Sequence, residues 1–358
     1  MLIMKKYLLL VLLWSFSING YAQDYTESIQ KADSIVLAFV ESNSIPGMSV
    51  SIYKGDALLL SKGYGYSDIK NQTPVNPSTT KFRIGSVSKT LTATGLGLLI
   101  QEDKVDPDAT IQEYVSEFPV KKWPVTVKQV AGHIGGIRHY NGSEFMSQEK
   151  YETINEGLVI FKDDPLLFEP GTQYQYSSYG WNLISAVIED ASENDFLSYM
   201  DNNVFKPLGM NNTEADWADK DIANRTKFYI WRSGKNVEAP YVDNSYKWAG
   251  GGFVGTTEDL IRFGKAHFAY DFLDEETQKL MMTPQQTSNG ESTNYGMGWS
   301  YLQFKETHWV GHSGGSVGGT TMFLINKQYD MIIAYAINRS GVGFDNLHFK
   351  IADLFISK

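Results

Sequence analysis

Two residues suited to nucleophilic chemistry, Ser86 and Lys89, stand three positions apart where a long apolar segment, residues 90–100, begins. Because residues three apart lie on one face of a helix, the Lys89 amine can reach the Ser86 hydroxyl. A serine hydroxyl is a poor nucleophile until a neighbouring base removes its proton. Burial and the positive end of the helix dipole lower the pKa of a lysine, which favours the neutral form that acts as a base. The pair therefore predicts a serine nucleophile with a lysine base.

The spacing of this pair is not specific by itself. Serine followed three residues later by lysine also occurs at Ser28, Ser51, Ser67, Ser78 and Ser147. Only Ser86 precedes a long apolar helix, whereas Ser51, for example, lies in an alternating pattern typical of a strand. From the residues alone, Ser86 is either this nucleophile or an ordinary serine at a helix N-terminus.

A second candidate group is formed by Tyr176 and Ser178, which precede a predicted helix over residues 179–191. Two positions apart in extended backbone, a phenol and a hydroxyl project from the same side of the chain. They could therefore belong to one site. The alternative, which these residues alone favour, is that Ser178 caps the helix while Tyr176 packs.

A third candidate group lies in the glycine-rich residues 309–319, which interrupt a region of predicted strands. Glycine within a strand marks a bulge or a close approach of the backbone to another group. His312 would place a titratable donor at this edge. The backbone N–H groups of Gly315 and Ser86 could together stabilise an oxyanion.

The elements that must position these residues divide the chain into β-rich ends and a helical middle. This distribution predicts an α/β fold of the α+β type, in which both chain ends build one antiparallel sheet flanked by helices. We expect one domain over residues 23–358, with an α/β part at about 23–85 and 286–358 and a mostly helical part at about 86–285. A site is expected in the cleft between the two parts.

The predicted elements of the α/β part are a helix, a hairpin, four strands and a final helix, over residues 28–40, 48–66, 298–304, 307–310, 320–325, 331–337 and 345–356. The helical part is predicted to begin with the buried helix that follows Ser86 and runs to about residue 102. Shorter helices are expected over residues 110–117, 127–131, 178–191, 195–204 and 257–270.

The charge and the first residues of the chain indicate its surroundings. A net charge of -10 argues against nucleic acid as a partner. Residues 1–22 combine a positive start at Lys5 and Lys6, a short apolar stretch and a small-x-small exit, as in a secretory signal. With Cys 0 there is no disulfide, no lipoprotein cysteine and no thiolate metal site. We expect a periplasmic or secreted protein without a stable membrane span, the alternative being an uncleaved anchor.

In their order and spacing, the three groups resemble the three motifs of the serine β-lactamase and penicillin-binding-protein superfamily. The motifs are Ser-Val-Ser-Lys at 86–89, Tyr-Ser-Ser at 176–178 and His-Ser-Gly at 312–314. The tyrosine of the second motif resembles the branch of class C β-lactamases and DD-peptidases. Segments at residues 168–172, 207–210, 250–260 and 295–299 also resemble that branch, so that the likeness covers about residues 34–349.

The resemblance implies a transient acyl-enzyme on Ser86, with Lys89 and Tyr176 sharing the proton transfers. It also implies an oxyanion hole at the Ser86 and Gly315 amides. Ser178 and His312 would orient the substrate. Asn338 matches a position that meets the substrate carboxylate in some relatives.

Two residues depart from the usual pattern. Ser178 stands where the second motif usually ends in asparagine, and His312 where class C β-lactamases carry lysine. Histidine in this place resembles some DD-peptidases, D-aminopeptidases and lactamase-like proteases. Unlike lysine, which is a fixed cation, it would carry a positive charge mainly when it is protonated. His133, in a segment where the family usually has His-Thr-Ser-Gly, is interpreted as structural.

We therefore expect an exported serine hydrolase that cleaves an amide or ester, with a small peptide of cell-wall or D-amino-acid type as its substrate. An esterase and a class C-like β-lactamase are the alternatives within the enzymes, and a non-catalytic penicillin- or peptide-binding module is the alternative outside them. A metal hydrolase built on His308 and His312 is disfavoured, because no carboxylate accompanies them in a metal-binding pattern. No metal and no cofactor are expected.

Overall fold

The computed structural model describes residues 24–356, so the predicted signal at residues 1–22 lies outside the described residues. The strands are β1 Gly47–Lys54, β2 Ala57–Asp68, β3 Thr73–Pro74, β4 Phe82–Arg83, β5 Glu214–Ala215, β6 Tyr229–Arg232, β7 Lys235–Glu238, β8 Phe253–Gly255, β9 Ser300–Phe304, β10 Thr307–Ser316, β11 Gly319–Asn326 and β12 Met331–Ile337.

The helices are α1 Thr26–Ser42, α2 Ser88–Gln101, α3 Val127–Ala131, α4 Ile154–Leu158, α5 Ser178–Ser192, α6 Phe196–Met200, α7 Trp248–Gly251, α8 Thr257–Lys265, α9 Glu275–Met282 and α10 Leu347–Ile356. Short 3-10 helices cover Gly85–Val87, Ile111–Glu113, Glu144–Met146 and Ser245–Lys247, and a π-helical turn covers Asp201–Phe205.

The large sheet confirms the prediction that both chain ends build one antiparallel sheet. Its seven strands run in the order β3-β2-β1-β12-β11-β10-β9. The two chain ends join where β1 pairs with β12, with Val50 opposite Tyr335 and Ile52 opposite Ile333. The two halves of the sheet are therefore joined by pairs of residues about 280 positions apart in the chain.

Both faces of this sheet are covered, which is why β11 and β12 are buried along their whole length. Successive side chains of a strand point to opposite faces. On one face, Ile333 and Tyr335 pack in a cluster with α1 and α10. On the other, Ile332 and Ala334 pack in a cluster that includes Phe263 of α8 and the core of the helical region. The helical region is thus docked on one face of the sheet.

The structure differs from the predicted elements in several places. The helix predicted over residues 110–117 is only the 3-10 helix Ile111–Glu113, the helix predicted over 257–270 ends at Lys265, and α7 and α9 were not predicted. The glycine-rich segment does not interrupt a strand, because β10 continues through it to Ser316. The region predicted as mostly helical also contains β5 and β8, which form a small sheet with β4 just before this region, and a hairpin of β6 and β7. These strands have two to four residues, which is too short for an alternating pattern to be recognised.

An ion-pair network holds the chain together just before the Ser86 turn. The Asp216 carboxylate is fully buried and accepts hydrogen bonds from Arg83 Nε at 2.6 Å, Arg225 Nη1 at 3.0 Å and Asn244 Nδ2 at 2.7 Å. Arg83 also donates to the Val317 carbonyl at 2.7 Å. The network therefore links β4 to the end of β10 and to the helical region.

None of the helices between residues 24 and 356 is both long and apolar enough to cross a bilayer.

Replacing the buried carboxylate should destabilise the protein much more than replacing an exposed one. Asp216→Ala leaves the buried Arg83 guanidinium without its counter-ion, so we expect the free energy of unfolding to fall by about 3–5 kcal/mol. Asp219→Ala, which removes an exposed carboxylate paired with Lys150, should have a much smaller effect. Urea denaturation of both variants measures this difference, and equal losses of stability would contradict the role given to the network.

Candidate active site

Ser86 lies on a tight turn that presses against strand β10. Gly85 has a φ of +52°, and a Cβ there would lie 2.7 Å from the Gly315 carbonyl oxygen. Only glycine accepts both this conformation and this close approach. The 3-10 turn Gly85–Val87 then leads into α2, which leaves the Ser86 side chain partly exposed in a cavity while Lys89 is buried. The predicted serine at a helix start is thus found, with its side chain facing open space.

The Lys89 amine lies within hydrogen-bond distance of three oxygen atoms. Its Nζ is 3.2 Å from Ser86 Oγ, 3.2 Å from Ser178 Oγ and 2.5 Å from the Gly250 carbonyl oxygen. Burial, and to a smaller extent the charge of Lys247, lower the pKa of Lys89 well below its usual value. A neutral amine has two hydrogens and one lone pair, so one of the two hydroxyls must donate to it. The geometry therefore allows Ser86 to give its proton to Lys89.

Helix α7 fixes the lysine in this position. Thr92, one turn beyond Lys89 in α2, donates to the Ala249 carbonyl at 3.0 Å. A Cβ at Gly250 would lie 3.0 Å from the Ser178 carbonyl oxygen and 3.6 Å from Lys89 Nζ. Glycine at this position thus lets the backbones of α5 and α7 approach each other closely enough for the Gly250 carbonyl to reach the amine.

Tyr176 and Ser178 both line the cavity that contains Ser86. The alternative that Ser178 caps helix α5 is wrong, because the cap is Ser177, whose Oγ accepts from the Gly180 N–H at 3.0 Å. The Ser178 hydroxyl is left for Lys89, and its backbone N–H donates to His139 Nδ1 at 3.1 Å.

The Tyr176 hydroxyl is buried and makes no well-formed hydrogen bond within residues 24–356. Burial raises its pKa, and the nearby hydroxyls of Ser86 and Ser178 oppose this rise. The Lys89 amine lies 4.8 Å from the centre of the Tyr176 ring. A phenol that stays protonated and lies beside both Ser86 and Lys89 is suited to pass a proton to a bound group.

His312 reaches the same cavity, but it does not supply the positive charge expected on protonation. Its Nδ1 lies 2.5 Å from the Ser313 carbonyl, which can only accept, so this nitrogen carries the proton. Its Nε2 therefore accepts from the Tyr295 hydroxyl at 2.9 Å. Burial, together with the charge of Lys89, lowers the pKa of His312 to about 3. The imidazole is neutral at physiological pH, and β10 presents a polar but uncharged group.

The edge of β10 that faces Ser86 has no strand beside it among the described residues. Strand β9 pairs with β10 only as far as Gly311, whereas β11 pairs with the other edge up to Ser316. Gly314 is so close to the turn that a Cβ would lie 2.0 Å from the Ile84 carbonyl oxygen. Gly315, next along this edge, lines the cavity beside Ser86. The predicted pair of backbone amides at Ser86 and Gly315 is therefore brought to one place.

Two further residues considered from the sequence lie elsewhere. Asn338 is buried outside the residues that line the cavity, and its amide donates to the Tyr66 carbonyl at 3.0 Å and to Thr226 Oγ1 at 2.9 Å. Its side chain therefore does not reach the cavity, contrary to the predicted contact of Asn338 with the substrate carboxylate. His308 is exposed and stacks on Tyr301, with ring centres 4.6 Å apart, so it does not join His312.

His133 agrees with its structural interpretation. It is buried, and its Nδ1 accepts from the Ser177 N–H at 3.1 Å. Its ring lies 4.3 Å from that of Tyr176 and 4.6 Å from that of Tyr295, measured between ring centres. His133 thus supports the two tyrosines that line the cavity.

The cavity has a volume of about 420 Å³, and sequence reasoning missed several of the side chains around it. These are His139, Tyr140, Phe145, Tyr174, Lys247 and Tyr295. Tyr295 lies in a segment that resembles the family, and this signal could have found it. His139 and Lys247 carry no pattern in the sequence, because only the packing of distant loops places them beside Ser86.

Comparison with known proteins gives one family over nearly the whole chain. The β-lactamase family model matches residues 32–354. The mitochondrial serine beta-lactamase-like protein LACTB of Homo sapiens is 29% identical, over 92% of this chain and 80% of that protein. The octameric penicillin-binding protein homologue from Pyrococcus abyssi has a TM-score of 0.79 at 25% identity, covering 92% of this chain and 78% of that chain. The D-stereospecific amidohydrolase from Streptomyces sp. shares the fold, with a TM-score of 0.76 at 20% identity over 93% and 98%.

The contact between Gly314 and the Ser86 turn can be tested by adding one methyl group. Gly314→Ala must push the Ile84 carbonyl away, and a displacement of about 1 Å costs on the order of 100-fold in rate. We expect fluorophosphonate labelling of Ser86 to slow by about this factor. Gly343→Ala is the control, because its nearest neighbour would be 3.7 Å from the new Cβ. Labelling of Gly314→Ala at the normal rate would contradict the proposed contact.

Proposed function

The chain belongs to the β-lactamase family, and from this membership we propose that it is a serine hydrolase that works through an acyl-enzyme on Ser86. The observation that carries the proposal is the Lys89 amine, fully buried, low in pKa and 3.2 Å from the Ser86 hydroxyl. A non-catalytic binding module has no need for a buried base beside a partly exposed hydroxyl.

In the proposed acylation step, Lys89 removes the Ser86 proton while Ser86 Oγ attacks the carbonyl carbon of the substrate. The carbonyl oxygen becomes an oxyanion facing the Ser86 and Gly315 amides. The bond to the leaving group then breaks. The leaving group takes a proton from the Tyr176 hydroxyl, and Lys89 passes the proton that it holds to Tyr176. The product of this step is an ester between the acyl group and Ser86.

In the second step, a water molecule attacks that ester and gives one proton to the Lys89 and Tyr176 pair. The tetrahedral intermediate collapses, and Ser86 Oγ recovers a proton from the same pair. The acid is released and the site returns to its starting state. Ser178 keeps the Lys89 amine in place throughout, because its hydroxyl lies 3.2 Å from Nζ.

We propose an amide or ester of a small peptide as the substrate, of cell-wall or D-amino-acid type. The likeness to a penicillin-binding protein homologue supports this class. The neutral His312 and the hydroxyl of Ser178 are unlike the lysine and asparagine usual in class C β-lactamases, which speaks against efficient β-lactam hydrolysis. Export to the periplasm or the exterior stays a prediction from residues 1–22.

The nucleophile can be tested by intact-protein mass spectrometry after treatment with a fluorophosphonate and, separately, with a penicillin. We expect one fluorophosphonate adduct on the protein and none on Ser86→Ala. Ser147→Ala is the control, since Ser147 also precedes a lysine by three positions but does not line the cavity. A lasting penicillin adduct would favour a peptidase, rapid turnover a β-lactamase, and no penicillin reaction an esterase or aminopeptidase. An unlabelled, folded protein would refute the proposal.

The base can be tested through the pH dependence of hydrolysis. Because the pKa of Lys89 is lowered, its neutral form accumulates as pH rises, and kcat/KM should rise with pH and level off well below pH 10.5. Lys89→Met should lose this rise and about 100- to 10,000-fold of the rate. Lys104→Met, which removes an exposed lysine paired with Glu102, should keep the normal profile. An unchanged profile in Lys89→Met would show that another group is the base.

A further inference from the structure

A second lysine, Lys247, is buried at the same cavity. It ends the 3-10 helix that precedes α7 and is 2% exposed, yet it lines the cavity together with Ser86. Aromatic rings surround its ammonium group, with centres 4.4 Å away in Phe145 and 5.1 Å away in Tyr246. The side chain thus brings a titratable amine to the same cavity as the neutral imidazole of His312 on β10.

The Lys247 ammonium has few partners within the protein. Its polar contact is with the Phe145 carbonyl oxygen at 3.5 Å, the limit for a hydrogen bond. Among residues 24–356, no carboxylate forms an ion pair with it. An ammonium group has three hydrogens to donate, so at least two of them have no acceptor here. A buried cation without a counter-ion is costly, and an anionic ligand in the cavity would supply the missing charge.

The nearest carboxylates are engaged by other groups. Asp216 accepts from Arg83, Arg225 and Asn244, and Asp243 accepts from the Ser245 N–H at 2.8 Å. Both carboxylates raise the pKa of Lys247, but burial and the Arg83 charge lower it more, to about 7. Near neutral pH a large share of Lys247 is therefore charged, and an anion bound beside it would increase that share.

We propose that Lys247 is a specificity-determining residue that binds a carboxylate of the substrate, so that this hydrolase acts on acidic peptides or esters. The inference rests on the proposed function, because it names the substrate class of the same Ser86 site. The inference follows from which of the groups around the cavity carry a charge. Among the described residues that line the cavity, burial lowers the pKa of both His312 and His139, to about 3 and about 4, so Lys247 is the group there that can meet an acidic group with a positive charge near neutral pH.

A different role for Lys247 would be to act on Lys89 alone, since its charge lowers the pKa of that residue. The two roles differ in what they predict. An effect through Lys89 changes the rate for every substrate by the same factor, whereas a direct contact with a carboxylate changes only the rate for acidic substrates. The ratio of rates for an acidic substrate and its neutral isostere therefore isolates the contact.

The test uses two pairs of esters in which a carboxylate is replaced by a carboxamide. In one pair, mono(4-nitrophenyl) adipate and 4-nitrophenyl adipamate, the carboxylate or carboxamide is on the acyl side. The other, 3-carboxyphenyl and 3-carbamoylphenyl pentanoate, carries it on the leaving group. The ratio of kcat/KM, acid over amide, is measured for the normal protein, Lys247→Met and Lys247→Gln. Lys150→Met, which removes a surface lysine paired with Asp219, is the charge-matched control.

We expect the ratio to fall by about 10- to 100-fold in both Lys247 variants for at least one pair, the effect of one charge-assisted hydrogen bond. Lys150→Met should keep the normal ratio. In the normal protein, the ratio should also fall as pH rises through about 7, because Lys247 then loses its charge. This titration is set by burial and by the charges of Arg83, Asp216 and Asp243. The other titratable groups near the ammonium are Tyr140 and Tyr246, with ring centres 5.7 and 5.1 Å away, and Lys89, whose own pKa Lys247 lowers.

Failure of this inference is distinguishable from failure of the proposed function. If Ser86 is labelled by the fluorophosphonate and the esters are hydrolysed, but both ratios are unchanged in the Lys247 variants, Lys247 does not bind the carboxylate. If Ser86 is not labelled in the normal protein, the proposed function itself is wrong. Thermal unfolding of the variants serves as a folding check. Lys247→Met should be no less stable than the normal protein, because it removes a buried charge without a partner.

Discussion

Removal of the Lys89 amine from water is the constraint on which the site depends. A buried ammonium is costly unless it is paired, and the amine meets two hydroxyls and a carbonyl rather than a carboxylate. Burial therefore favours the neutral, basic form of the side chain. Three helices must meet to create this environment: α2 carries the lysine, α5 supplies Ser178 and α7 supplies the Gly250 carbonyl. Their close packing accounts for the small residues at the contacts.

The sheet provides the other half of the site. Strand β10 loses its neighbour β9 after Gly311, so its backbone beyond this point faces the Ser86 turn rather than another strand. The same contact that fixes Gly85 against Gly315 also brings the two backbone amides together. Ser86 and Lys89 belong to the helical region, and the facing edge belongs to the sheet. The cavity around Ser86 therefore exists only because the two parts are docked.

Charge is distributed unevenly around the cavity. Burial lowers the pKa of His312 on β10, so that its imidazole is neutral, whereas Lys247 on the helical wall lacks a counter-ion. Burial lowers the pKa of both groups, but the imidazole becomes neutral whereas the amine keeps part of its charge. The two walls can therefore bind different groups. A neutral imidazole can orient a polar group, and a partly charged amine favours an anion. Recognition of an acidic substrate would thus come from the helical region.

Much of the architecture could be predicted from the sequence, because it rests on local pattern. Alternating strands at both ends, the long apolar helix after Ser86 and the three short motifs are each visible within a few residues. They predicted one antiparallel sheet built from both chain ends, which the structure confirms. They also indicated Ser86, Lys89 and Tyr176, which the fold brings together. The two- to four-residue strands of the middle region carry no such pattern and were missed.

Only the tertiary structure decided the electrostatics and the walls of the cavity. The pKa of His312 depends first on burial and then on the charge of Lys89, far earlier in the chain, and no local pattern shows either. Asn338 follows the last strand as expected, but the packing turns its amide toward Tyr66 and Thr226. Nothing in the sequence distinguishes Lys247 from a surface lysine. It is the loop at Phe145 that covers it in the folded protein. Periodicity determines elements, whereas burial and charge are set by residues that meet only when the chain folds.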